Sequence, residues 1–510
     1  MEINVLKHSC YYDETVYNDG AEQSIDTEVV LPDYCKPIKK ILKCNTEPRI
    51  TSKGFNGPNL FIDGTIYLCI LYVDDDDCLQ SFEHTLPISK NFELSEAFEN
   101  CCIAGNIKCD YINCRAISER KLQIKGSAIL TANVSCKKQV EIVSDIDGCF
   151  VETLKDFSPA TTPMGNGEKN LIIEEEISLG DGQPSIEKLL RYDVVPIIQE
   201  FKVINNKVIT KGNLKVSILY SSHEGARTHK LSTLLPFSQI VDIEGVHENC
   251  KCDCDASVIF CELKQRAGED DCRSFILTAK LSVSVNAYCE SEIPIIYDAY
   301  STNYNIDTVK AEISTNCIKE NFSDKFIAKK TLEFSDGAIG SIIDMWCKCQ
   351  TNGYKLEGKH IVVSGCVIVQ ILTHDVDNVP NYFERPIDFE YRFEASSNYD
   401  CLYCKIAAEI LNSSFTILNA NQLEISVELN ITGCLYDRQK STVITNVELI
   451  DGKKERYDKN CGIIIYFAES GERLWDIAKR YNSRKDEIMT LNNYTEDILK
   501  ENKSLIIPIK

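Results

Sequence analysis

Gly212-Asn-Leu-Lys-Val-Ser-Ile-Leu-Tyr220 is the stretch from which the fold is read. Leu214, Val216, Ile218 and Tyr220 alternate with Lys215 and Ser217, the period of a strand with one packed and one wet face. The pattern stands 148 residues earlier as Gly64-Thr-Ile-Tyr-Leu-Cys-Ile-Leu-Tyr72, and 153 residues later as Gly365-Cys-Val-Ile-Val-Gln-Ile-Leu-Thr373. Working outward, the offset of 148 also carries Leu42 to Leu190, Pro48 to Pro196 and Ile50 to Ile198. A later strand recurs as Leu122-Gln-Ile-Lys-Gly-Ser-Ala, Phe275-Ile-Leu-Thr-Ala-Lys-Leu and Leu423-Glu-Ile-Ser-Val-Glu-Leu. Polar turns follow the first strand at 74–77, 222–225 and 375–378, and each copy opens on a short strand, a turn and a short amphipathic stretch (29–42, 177–190, 332–343). The body is therefore one unit used three times.

Alternating strands at this density predict antiparallel sandwiches. Boundaries are expected at 158–170, which holds two prolines and two glycines, and at 301–323; a polar connector, 451–462, leads into the tail. The expected architecture is mainly β. Three tandem antiparallel β-sandwich-like repeat domains (1–157, 171–303, 324–450) are followed by a small α+β domain at 463–510.

In that tail, Ile463 to Phe467 reads as a strand. Leu474, Ile477, Ala478 and Tyr481 fall on one face of a helix. Ser483 with Asp486 has the form of a capping box opening a second helix, which is expected to bury Ile488 and Leu491. Leu505 to Ile509 is a second strand. This βααβ order, with Tyr466, Gly471, Leu474, Trp475, Ile477, Ala478, Tyr481, Leu491, Asn492, Leu505, Ile507 and Pro508 in the family's spacing, resembles the LysM domain. LysM domains bind N-acetylglucosamine polymers such as peptidoglycan, between the loop after strand one and the loop before strand two. The resemblance implies a partner- or glycan-binding surface made of Gly471, Glu472, Arg473, Leu474, Trp475, Asn493, Tyr494 and Ile498. Two stretches depart from the family. Gly471-Glu472-Arg473 stands where Gly-Asp-Thr is common, and Glu501-Asn502-Lys503 where Pro-Gly-Gln is common. Longer charged side chains suit a polar protein interface better than a flat sugar chain. Trp475 reads first as a core or half-exposed aromatic and second as a stacking platform.

Net charge is −22, yet 463–510 holds eight basic and eight acidic residues, so all the acidity lies in the body. Such a body repels nucleic-acid phosphates and anionic lipid. No run of eighteen apolar residues and no secretory pattern is present, so no membrane span and a cytoplasmic location are expected. The 25 cysteines are an odd number in a chain without a secretion signal, and are expected to be mostly reduced thiols. Cys69 and Cys366 lie inside strands, while Cys250, Cys252 and Cys254, like Cys347 and Cys349, are spaced to share a face. Cys401 and Cys404 form a CxxC with no partner pair, so no metal site is expected.

Chemistry-bearing motifs are absent. The seven histidines make no HExxH spacing, and there is no phosphate loop or GxSxG elbow. Asp74 to Asp77 lacks the glycine and the glutamate of a calcium loop and reads as a solvated hairpin turn. Cys401 with His360 or His374 has no nucleophile signature. No catalytic residue and no cofactor are expected.

Leu31-Pro-Asp-Tyr-Cys-Lys-Pro-Ile38, the Gly-x-Leu-x-Val-x-Ile-Leu-Tyr strand and Asp298-Ala-Tyr-Ser301 resemble the domain repeated in clostridial spore-coat proteins. Three copies ending in a LysM tail are similar to the clostridial spore coat morphogenetic family. That resemblance implies synthesis in the mother cell and a place at the forespore surface among other coat proteins. It implies a LysM tail that docks on the coat basement-layer ATPase rather than on sugar. The competing expectation is a peptidoglycan- or cortex-binding protein using the glycan groove.

Overall fold

A computed structural model of the chain describes residues 3–96, 101–148, 150–222, 227–266, 272–335, 339–396, 402–419, 421–453 and 462–509. Cys401, His223 and most of the connector (454–461) lie outside them. Among the described residues, the body's strands fall into three units of six.

Unit one comprises β1 (Asn4–Val30), β2 (Lys40–Asn56), β3 (Asn59–Val73), β4 (Leu79–Glu93), β5 (Cys101–Ser118) and β6 (Lys121–Asp147). They form two antiparallel sheets, ordered β1-β6-β5 and β2-β3-β4. Unit two repeats this with β7 (Val151–Ser178), β8 (Ile186–Ile204), β9 (Lys207–Ser222), β10 (Thr228–Asp242), β11 (Lys251–Gln265) and β12 (Ser274–Ser301), ordered β10-β9-β8 and β11-β12-β7. Unit three uses β13 (Tyr304–Glu333), β14 (Ser341–Glu357), β15 (His360–His374), β16 (Pro380–Glu394), β17 (Leu402–Asn419) and β18 (Gln422–Lys453), ordered β13-β18-β17 and β14-β15-β16. Leu214, Val216, Ile218 and Tyr220 of β9 share one buried core with Phe275, Leu277, Ala279 and Leu281 of β12. The alternation seen in the sequence is thus the inner face of a two-sheet sandwich.

The repeated glycine is fixed by close approach. A Cβ on Gly64, Gly212 or Gly365 would press on the backbone carbonyl of Arg49, Ile197 or Gln350 in the neighbouring strand. Each lies beside a register slip, between Ile50 and Ser52, Ile198 and Glu200, and Thr351 and Gly353. Gly212→Ala is expected to destabilise the body by roughly 1–3 kcal/mol, the cost of overpacking, read as a lower urea midpoint. An unchanged midpoint would contradict this reading of the glycine.

Alternation ends before β3 does: Ile70, Leu71, Tyr72 and Val73 are all buried. The second face is covered because the units pack on one another. Leu71, Leu219 and Leu372, equivalent residues of β3, β9 and β15, meet in one cluster with Leu42, Leu190 and Ile343. Farther along, Ile142, Ile295 and Val443 meet in a second cluster, and Val143, Ile296 and Ile444 in a third. Equivalent side chains converging at three levels make the body a closed, approximately threefold arrangement.

Beside the first cluster, the residues paired with Leu71, Leu219 and Leu372 are Lys43, Arg191 and Asp344. Repetition is broken there by charge. Buried Arg191 donates from Nη1 to Asp344 at 3.1 Å and from Nη2 to Asp193, and stacks 3.9 Å from the Trp346 ring centroid. Lys230 reaches Asp344 at 2.6 Å, and Lys43 reaches Glu384 at 2.5 Å.

Several expectations are corrected. Residues 158–170, expected as a boundary, lie inside β7 and pair with β12; β6 of unit one ends at Asp147 and β7 of unit two begins at Val151. β7 is an edge strand, and Pro163 sits at a bulge in it, a position that needs no ladder N–H. Residues 304–323 are likewise strand, in β13. The stretches around Leu42, Leu190 and Ile343 are strand bulges rather than a separate amphipathic element. Asp74 is not a solvated turn residue but buried: its Oδ1 accepts the N–H groups of Asp76 at 3.0 Å and Cys78 at 2.8 Å. Asp375 does the same in unit three for Asp377 and Val379.

Most described thiols are free, in line with the expectation, and two pairs are exceptions. Cys101 is bonded to Cys136, its direct partner across β5 and β6, and Cys250 to Cys289. The other eighteen described cysteines are free. Facing positions on paired strands bring together residues 35 and 39 apart in sequence, which spacing along the chain does not reveal.

The tail is β19 (Ile463–Ala468), α1 (Leu474–Arg480), α2 (Lys485–Asn492) and β20 (Lys503–Pro508), with the two strands antiparallel. Ser483 does not cap α2. It is buried and donates to the Pro508 carbonyl at 2.8 Å, while the N-cap is Arg484 without a side-chain bond. Ile488 is buried as expected, but Leu491 is half exposed.

Candidate functional site

The two loops that hold sugar in LysM domains are tied to each other here. The Gly471 N–H donates to Leu499 O at 2.8 Å, Leu499 N–H to Glu472 O at 3.0 Å, and Leu474 N–H to Asp497 O at 2.7 Å. Gly471 has φ of +95°, which explains glycine at that turn. Glu472 turns inward. The Glu469 N–H at 2.9 Å and the Tyr466 hydroxyl at 2.8 Å hold its carboxyl below the usual range. Exposed Arg473 is paired with Asp497 at 3.1 Å and bridges to Ile498. Asn493 is the exposed left-handed cap of α2, Tyr494 is half-buried with Lys503 over its ring, and Ile498 is exposed.

Leu474 and Trp475 are not on that surface. Leu474 is fully buried in the tail core, and Trp475 is 2 % exposed because its face of α1 packs on unit two. The indole meets the Tyr300 ring edge-on at 4.9 Å between centroids, and its Nε1 donates to Asp298 at 3.0 Å. Lys479 reaches the same carboxylate at 2.6 Å, Tyr300 donates its hydroxyl to Ser483 O at 2.8 Å, and Arg484 pairs with Glu152 at 2.8 Å. Burial raises the Asp298 pKa, but the bonds from Lys479 and Trp475 outweigh it, so the carboxyl sits below its ordinary value. Trp475 is a core aromatic that also docks the tail on unit two.

Sequence reasoning missed an apolar strip. Ile463, Ile465 and Phe467 on β19 are 59, 63 and 78 % exposed, and Ile506 on β20 lies beside them. Ile464 and Tyr466 turn inward, so the two-stranded sheet leaves its outer face uncovered. The signal was present: Ile463 to Phe467 is apolar throughout, where a half-wet strand alternates.

Where the three units meet lies a cavity of about 790 Å³, lined among others by Arg49, Tyr67, Arg191, Tyr192, Trp346 and Lys348. Arg49 Nη1 and both amide atoms of Asn45 are buried there without a protein partner. Burial, then Glu262, pushes the Glu83 carboxyl up, and burial pulls the Lys348 amine down. Cations and carboxylates in its wall are mixed, and no nucleophile is paired with a base.

No helix among the described residues is long and apolar enough to cross a membrane. The family model of the SipL SPOCS domain matches residues 37–117 and 185–265, and that of the LysM domain matches 469–508. The two SPOCS matches coincide with strands two to five of units one and two; unit three has the same strands in the same pairing. No curated protein and no solved structure matches the chain. SPOCS and LysM domains are binding and scaffold domains. Two matches to the SipL SPOCS domain and one to the LysM domain are the domain content of a coat-related, LysM-bearing sporulation protein.

Proposed function

We propose that the chain is a non-enzymatic adaptor of spore-coat assembly, acting in the mother cell at the forespore surface, whose LysM domain docks on the coat basement-layer ATPase. The observation that carries this reading is the uncovered strip of Ile463, Ile465, Phe467 and Ile506. Large apolar side chains held on a strand, without polar groups between them, fit a protein partner's apolar surface. They offer a sugar's hydroxyls nothing to bond. Glu472 and Arg473, in the glycan loops, are engaged by Tyr466 and Asp497. The neutral tail is also the part of the chain least repelled by an acidic partner.

Ile465→Arg in the full chain is expected to weaken capture of the purified coat ATPase by roughly 2 kcal/mol, about thirtyfold, as for an interface anchor. Because Ile465 is exposed, the thermal melt stays at the wild-type temperature. Equal capture by two equally stable proteins contradicts the reading. Arg473→Glu is expected to have a smaller effect, since its first partner is Asp497. The competing reading, peptidoglycan binding, is favoured by the LysM match itself and by exposed Asn493 and Ile498 on the glycan loops. Sedimentation of the wild-type chain with purified peptidoglycan, undiminished by Ile465→Arg, would select it.

A further inference from the structure

Unit two holds a ligand set that neither other unit carries. The turn before β11 places His247 and Cys250 together, with the Cys250 N–H donating to His247 O at 2.9 Å. Across the ladder stands Cys289 of β12, next to Tyr288, which pairs with Lys251. His247 Nε2 lies 3.6 Å from Cys289 Sγ, and the imidazole nitrogen and both sulfurs lie within 4.8 Å of one another. Cys250 and Cys289 are buried and His247 is exposed, so the group is closed on the core side and open to solvent on the other.

We propose that, with its two thiols reduced, His247, Cys250 and Cys289 form a zinc-binding site. Two thiolates and one imidazole are donors that a borderline-soft, tetrahedral cation prefers. Zinc bonds of about 2.3 Å to sulfur and 2.0 Å to nitrogen place tetrahedral ligand atoms roughly 3.5 Å apart. The histidine already stands at that distance from Cys289. The two sulfurs, bonded to each other in the closed form, separate when reduced. The fourth position faces solvent beside His247. The balance is simple. A two-electron reductant, such as a phosphine or dithiol, converts the disulfide to two thiols. Zinc then displaces one proton from each thiol, and the neutral imidazole binds without losing one. Disulfide and zinc are therefore exclusive states of one pair.

The repeat supplies the internal control. Cys101 and Cys136 occupy the same strand positions in unit one, but the residue three before Cys101 is Phe98. In unit three the facing pair at these positions is Leu402 and Asp437, with no thiol in either place. A thiol pair recurs in unit one; the thiol pair with histidine does not recur.

The test uses the full chain, stripped with chelator under a phosphine reductant and then titrated with Zn²⁺ or Co²⁺. Other reduced thiols also take up metal, so the readout is the difference between variants. Wild type is expected to hold one zinc against a competing chelator. Its cobalt form should show the visible bands of a tetrahedral site and a thiolate charge-transfer band. His247→Ala should weaken zinc by at least about tenfold, since it removes one of three protein ligands; His247 is exposed, so the melt of the apo protein is unchanged. Cys289→Ser should abolish the charge-transfer band, whereas Cys136→Ser should leave it intact. Zinc affinity indifferent to His247→Ala overturns the proposal. So does a cobalt band lost with Cys136→Ser but kept with Cys289→Ser, or a Cys250–Cys289 bond that stays closed when Cys101–Cys136 has opened.

Discussion

Asp344→Ala is expected to cost the body about 3–5 kcal/mol, the loss found when one partner of a buried ion pair is removed. Asp344 and Arg191 are nearly inaccessible and lie where the three units meet. Without Asp344, Arg191 keeps, among the described residues, half-exposed Asp193 as an ion-pair partner and the Trp346 face as an apolar neighbour. Burial already pulls the Arg191 pKa down, with Asp344 as the main opposing influence, so the guanidinium is held in place by that carboxylate. Lys230 also loses a partner, but it is half exposed and water replaces the bond at little cost. The double change Asp344→Leu with Arg191→Met should recover most of the loss, because neither charge is then stranded. The measurement is a urea midpoint by circular dichroism for the three proteins. A loss under 1 kcal/mol for Asp344→Ala would mean the junction is wet and the units are held by the leucine cluster alone.

Trp475→Ala is the second large effect. Truncating a buried tryptophan costs about 3–5 kcal/mol, here from the LysM core, and it also removes the Tyr300 contact and the bond to Asp298. Asp298→Ala separates the two roles. It should release the tail from unit two while the tail stays folded, seen as a red shift of Trp475 emission without loss of helix signal. The pH dependence follows from the sign of the Asp298 shift. A depressed carboxyl contributes its full stabilisation above the ordinary aspartate value of about 3.9 and loses it as pH falls through the lower folded value. Docking should therefore be constant through neutral pH and fail only in acid, below about pH 4. Release on titration between pH 8 and 6 would assign the contact to another group.

The three-unit body and the βααβ tail were legible because both rest on periodicity. Leu214 to Tyr220 declares its inner face, and Leu474 to Tyr481 its helical one. The repeated glycines were visible as a pattern, while their cause, a carbonyl across a bulge, was not. What stayed hidden depends on contacts between distant segments. Lys43, Arg191 and Asp344 look like unrelated surface charges until the offsets align them at one junction. Even so, the unbroken run of Ile70 to Val73 hinted at burial on both faces. Pro159 and Pro163 read as a linker because an edge strand tolerates prolines as well as a linker does. Trp475 was placed in the ligand groove by resemblance, but its accessibility was decided by Tyr300, some 175 residues away. The apolar strip on β19 was passed over because an all-apolar strand normally implies cover on both sides.

Amide hydrogen exchange of the full chain, alone and bound to the coat basement-layer ATPase, tests the central claim most directly. If the LysM sheet is the docking surface, exchange slows on binding across 463–468 and 503–508, while α1, already packed on unit two, does not change. Protection confined to 471–473 and 494–498, or found only in the three β units, would contradict it.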